Sequence, residues 1–78
     1  MTLEAPAMPE YLEVLFPQRR IVLINGLSMG ETNMLLELEG GIYEVKLGPP
    51  QNFTPAQQQV DLRNTSALNP KQLKFKEI

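Results

Sequence analysis

Residues 24–33 read INGLSMGETN, placing two glycines, a serine and a threonine behind the apolar run Ile21–Ile24. Such a grouping after a strand can cradle phosphate, provided the spacing is right. A phosphate loop needs Gly, four residues, then Gly-Lys followed by Ser or Thr. Here Gly26 and Gly30 enclose three residues, and Glu31 stands where the lysine would neutralise phosphate charge. A carboxylate at that position repels the ligand, and no long helix follows to aim its amides at an anion. The stretch therefore reads as turns.

Other chemistry fares no better. The chain has no histidine and no cysteine, which removes the usual general bases, nucleophile partners and soft metal ligands. Ser28, Thr32, Thr54, Thr65 and Ser66 have no imidazole to activate them. Neither catalysis nor a cofactor is expected. Glu37, Glu39 and Glu44 could gather into a weak calcium site, although a solvated face is the simpler reading, and the sole aspartate, Asp61, reads as an outward strand residue. Asn52-Phe53-Thr54 and Asn64-Thr65-Ser66 match the glycosylation pattern, but both asparagines read as turn residues. Phe75 between Lys74 and Lys76 weakly resembles a base-stacking arrangement, yet a strand with phenylalanine inward and lysines outward has the same pattern. Lys71, Lys74 and Lys76 form the one basic cluster, either a solvated strand face or a contact for an anionic partner.

The elements that would hold these residues are strands. In YLEVLF, Leu12, Val14 and Phe16 share a face, and Pro17 ends the strand because it cannot donate to a ladder. RRIVLI is β-branched and stops at Asn25-Gly26, a strong hairpin signal. Leu27 and Met29 should return opposite Ile24 and Val22, after which Gly30 breaks the strand. MLLELEGGIYEVKL predicts a hairpin turning at Gly40-Gly41, with Leu38 facing Tyr43, Leu36 facing Val45 and Met34 facing Leu47. On that register Glu37 lies opposite Glu44 on the wet side. GPPQNFTPAQQQ reads as a loop stiffened by three prolines and anchored by Phe53. VDL and LKFKEI alternate as half-buried strands do, and PAQQQVDLR is the nearest approach to a helix. About six or seven short strands, with turns roughly every 8 to 12 residues, predict an all-β, small antiparallel β-sandwich or barrel.

Seventy-eight residues suffice for one domain with a modest core. The formal net charge of −2 offers no basic field for nucleic acid, which is not an expected partner. No apolar run approaches the length of a membrane span, and the start MTLEAPAMPE lacks the basic end and apolar run of a secretory signal. A cytoplasmic location is expected as written, or an envelope or periplasmic one if a leader has been removed.

From Leu12 onward the chain resembles the PEGA domain, a small all-β module of bacteria and archaea grouped with transthyretin-like sandwiches. The features run in order: LEVLFP, IVLING, GET, LLELEGGIYEVKL with its Gly-x-Tyr-x-Val step, and NFTP before two closing strands. The Pro-Glu-Gly-Ala of the family's name is replaced by LEGG, Asn33 stands where a proline usually follows the threonine, and Phe53 replaces a Gly-Tyr pair. The resemblance implies a transthyretin-like sandwich and a non-catalytic module of envelope or surface-associated proteins, with no active-site residues to carry over.

The expectation is a loose arm over residues 1–10 and one PEGA-like sandwich over 11–78. Its core would hold Leu12, Val14, Phe16, Val22, Ile24, Leu36, Leu38, Tyr43, Val45, Leu47, Val60, Leu62, Leu73 and Phe75. Its work would be binding or scaffolding, with another protein as partner. Contact would use an edge strand or the loop bearing Pro49, Pro50, Phe53 and Pro55. The alternative is a polysaccharide- or single-stranded nucleic-acid-binding module, in which Tyr11 or Phe53 would supply an exposed aromatic platform.

Overall fold

A computed structural model describes residues 9–78, all strand and connection, with no helix among them. Nine strands follow in order: β1 (Pro9–Leu15), β2 (Ile21–Ile24), β3 (Leu27–Glu31), β4 (Leu35–Glu39), β5 (Gly41–Leu47), β6 (Phe53–Thr54), β7 (Gln58–Leu62), β8 (Lys71–Lys74) and β9 (Lys76–Glu77). They form a three-stranded sheet β4-β1-β8, a four-stranded sheet β3-β2-β5-β7 and a small pair β6-β9. The architecture agrees with a small β-sandwich, with one departure from a purely antiparallel plan: β1 and β8 run parallel.

Alternation explains the core. Leu12, Val14, Leu36, Leu38 and Leu73 from the three-stranded sheet join one buried cluster with Val22, Ile24, Val45, Leu47, Val60 and Leu62 from the four-stranded sheet. Every expected core residue is buried except Tyr43, which is half-buried and packs against the cluster. Phe53 joins them, its ring edge-on to Phe16 at 6.4 Å and to Phe75 at 5.8 Å. Edge-to-face aromatic contacts of this kind add to the area each ring buries.

Several sequence expectations are corrected. The arm expected over residues 1–10 overlaps β1: Pro9 and Glu10 already pair with Glu39 and Leu38, while residues 1–8 lie outside the described residues. Gly30 lies inside β3 and does not end it. It pairs with Val22 in place of Met29, because a register shift between Val22 and Leu23 leaves Met29 as the extra residue. Finally, β4 and β5 form no hairpin. β4 pairs with β1 and β5 with β2 and β7, so the chain crosses between sheets at Gly40-Gly41. The alternation survives because the inward faces of β4 and β5 belong to two sheets that share one core. Met34, expected to face Leu47 in the dry layer, is exposed. The segment PAQQQVDLR, nearest to a helix in sequence, supplies strand β7.

Candidate functional site

The Gly-rich stretch of residues 24–33 is chain architecture throughout. Asn25 and Gly26 carry φ of +50° and +84°, the left-handed pair that a tight hairpin turn requires. The turn is tied to β5: the Asn25 amide donates to the Glu44 carbonyl at 2.8 Å, and the Glu44 amide donates to Asn25 Oδ1 at 2.9 Å. Thr32 is 2% exposed. Its hydroxyl donates to the Gln18 carbonyl at 2.7 Å and accepts from the Arg20 amide at 2.9 Å. Asn33, at φ +63°, donates through Nδ2 to the Phe16 carbonyl at 2.8 Å and accepts from the Phe16 amide at 3.2 Å. The polar groups of Thr32 and Asn33 are thus engaged in holding the 16–20 connection.

Arg20 does the same for the proline-rich loop. Its guanidinium donates to the carbonyls of Pro50 (2.8 Å) and Gly48 (3.3 Å), to Asn52 Oδ1 (3.0 Å) and to Gln18 Oε1 (2.9 Å). It also lies 5.2 Å from the centre of the Phe16 ring, a cation–π distance. The loop is therefore held from beneath by one fork of donors, with Pro49, Pro50 and Pro55 exposed along it. Phe53 is different. At 5% exposure its ring is core, which corrects its assignment both as a partner contact and as an aromatic platform.

Tyr11, the other platform candidate, is half-buried on the outer face of β1, opposite Glu37. Desolvation, and then the negative charge and hydrogen bond of Glu37, push its phenol above the usual range. The ring is packed beside a carboxylate, not presented as a free platform. Phe75 is fully buried, so the lysines flanking it do not form a stacking site; Lys71, Lys74 and Lys76 are exposed.

The acidic cluster comes apart with the hairpin. Glu37 and Glu39 lie on β4, whereas Glu44 lies on β5 in the other sheet and accepts from Gln57 Nε2 at 3.1 Å. Among the described residues no group of three or more potential ligands could hold a metal ion. Near the start of β1, Glu10 Oε1 accepts from the Thr65 amide at 2.9 Å and the Thr65 hydroxyl at 2.6 Å. These bonds favour the carboxylate and lower its pKa. The Thr65 hydroxyl also accepts from the Tyr11 amide at 2.7 Å, so the connection before β8 is pinned to β1.

What the sequence does not reveal is a groove between the two sheets. β3 ends one sheet and β4 ends the other, and between them lies an apolar groove of about 340 Å³. Leu27 and Met29 form the β3 wall, Glu37, Leu38 and Glu39 the β4 wall, and Ile24 and Tyr43 lie deeper. Leu27 is 66% exposed and Met29 47% exposed. The Tyr43 hydroxyl donates to the Glu39 carbonyl at 2.6 Å and fixes the β4 side. Farther along, the sheets close up: a Cβ on Gly30 would clash with Leu36 Cδ2. The groove is thus open toward the Asn25-Gly26 turn and shut toward Gly30. The signal for it was the pair Leu27 and Met29, apolar at an edge, but only the placement of β4 opposite β3 makes a groove of them.

No family model matches the chain, and neither does a curated protein or a solved structure.

Proposed function

We propose that the chain is a non-catalytic binding module that contacts another protein through its β3/β4 side. The observation that carries this reading is the apolar groove between two strands whose outer edges have no partner strand among the described residues, with Leu27 and Met29 exposed on its wall. An unpaired edge offers a row of amides and carbonyls to an incoming strand, and an adjacent groove accepts its side chains. The fixed proline-rich loop over Pro49, Pro50 and Pro55 is a secondary contact in this reading. The PEGA resemblance, with a transthyretin-like sandwich, points to the same kind of role. The carbohydrate or single-strand alternative lacks support from its own candidates, since Phe53 is buried and Tyr11 half-buried.

The test is a photoreactive methionine analogue at position 29, compared with the same analogue at position 68, where Leu68 is 92% exposed but away from the groove. The expected result is a crosslink to one defined polypeptide from position 29 alone, reproduced with that polypeptide purified. Equal labelling from both positions, or none from position 29, refutes the reading.

A further inference from the structure

We infer that the segment the groove receives is an extended strand with basic residues alternating with apolar ones, added along the free edge of β4. This rests on the reading of the β3/β4 side as a partner surface, and it names the partner's chemistry.

β4 sets the chemistry of a strand added beside it. Its burial alternates, with Leu36 and Leu38 inward and Leu35, Glu37 and Glu39 outward. A strand added beside β4 continues the sheet, and its side chains take the same two directions at a period of two. The inward residues of the newcomer enter the groove against Leu38 and Ile24 and must be apolar. The outward residues stand beside Glu37 and Glu39, which among the described residues are the only charged groups lining the groove. Neither belongs to an ion pair among the described residues, where the pairs are Arg19–Glu31 and Arg63–Asp61. Lysine or arginine at alternate positions complements them.

The choice of β4 over β3 follows from regularity. β3 carries the bulge at Met29, which interrupts a ladder, whereas β4 is regular over its five residues and contains no proline. The same glutamates discriminate against a second copy of the chain, because β4 beside β4 sets glutamates near glutamates. The one apolar and basic alternation within this chain, Leu73–Lys76, is not free to serve, since Leu73 and Phe75 are buried in its own core.

The experiment uses the intact chain, isotope-labelled, with two short synthetic peptides, one alternating valine and lysine and the other valine and glutamate. The lysine peptide is expected to shift amide signals of residues 27–29 and 35–39, to bind more weakly as salt rises, and to lose roughly tenfold in affinity against E37Q/E39Q. The glutamate peptide is expected to leave the spectrum unchanged. Equal binding of both peptides, shifts confined to residues 48–55, or self-association through β4 in place of peptide binding each overturns the inference. A silent lysine peptide together with a specific crosslink from position 29 overturns the basic partner class and leaves the binding-module reading standing. A silent peptide with no crosslink removes both.

Discussion

Replacing Thr32 with valine keeps the shape of the side chain and deletes its hydroxyl. Two backbone groups then lose their partners: the Arg20 amide, 2.9 Å from Oγ1, and the Gln18 carbonyl, 2.7 Å from it. Thr32 itself is buried, and valine sets a methyl where the hydroxyl stood, so neither group regains a partner from the side chain. A hydrogen bond of this kind contributes about 1 kcal/mol, and an orphaned buried group costs about 1–3 kcal/mol. The Gln18 and Arg20 groups are only partly buried, which holds the sum to about 2 kcal/mol with a ceiling near 4. A domain of this size has roughly 4–12 kcal/mol of total stability. Each kcal/mol moves the Tm of such a domain by about 4–8 °C, so T32V should melt about 10–15 °C below the parent. Thermal unfolding followed by circular dichroism measures this. Thr32→Ser is the control, because it keeps the hydroxyl and removes one methyl, at about 0.8 kcal/mol. T32V should therefore be less stable than T32S. A T32V melt equal to the parent, or above that of T32S, would refute the assignment of this residue to chain architecture.

Gly30→Ala places a Cβ against Leu36 Cδ2 at a φ of +154°, and should cost about 1–3 kcal/mol by urea titration. Pairing it with Leu36→Ala should recover part of that cost; strict additivity would mean the two positions do not touch. Glu10 supplies a pH dependence. Its folded pKa lies below the unfolded one, so the unfolded chain binds the proton more readily. The Thr65 bonds therefore contribute fully above the ordinary carboxylate range and are lost as pH falls through the folded value. Glu10→Gln should flatten that part of the acid limb in urea midpoints compared between about pH 7 and about pH 3, and an unchanged limb would assign the acid sensitivity elsewhere.

The fold was legible where one strand suffices to carry the signal. Leu12, Val14 and Phe16 share a face whatever stands beside them, and Asn25-Gly26 turns the chain through its own backbone preference. The candidate site was less legible. The proline-rich stretch follows β5 as its composition suggests, but it contains the short strand β6, and Phe53 turned inward because Phe16 and Phe75 form a socket at that end of the core. The clamp on that loop comes from Arg20, some 30 residues away in sequence, and nothing in an arginine's neighbours announces such a partner.

The β4–β5 stretch separates the two kinds of information. Which residues of LLELEGGIYEVKL point inward follows from a period of two, and Leu36, Leu38, Val45 and Leu47 obey it. Which strand lies beside which does not follow. A hairpin and a crossing between facing sheets bury the same alternate residues, so local pattern is silent between them. The pairing of β4 with β1, and of β5 with β2 and β7, is a property of the packed whole. That pairing dispersed the acidic cluster, left β3 and β4 as neighbouring edges, and opened the groove between them. Burial direction is a local property of the chain, and strand neighbours are settled by contacts between residues distant along it.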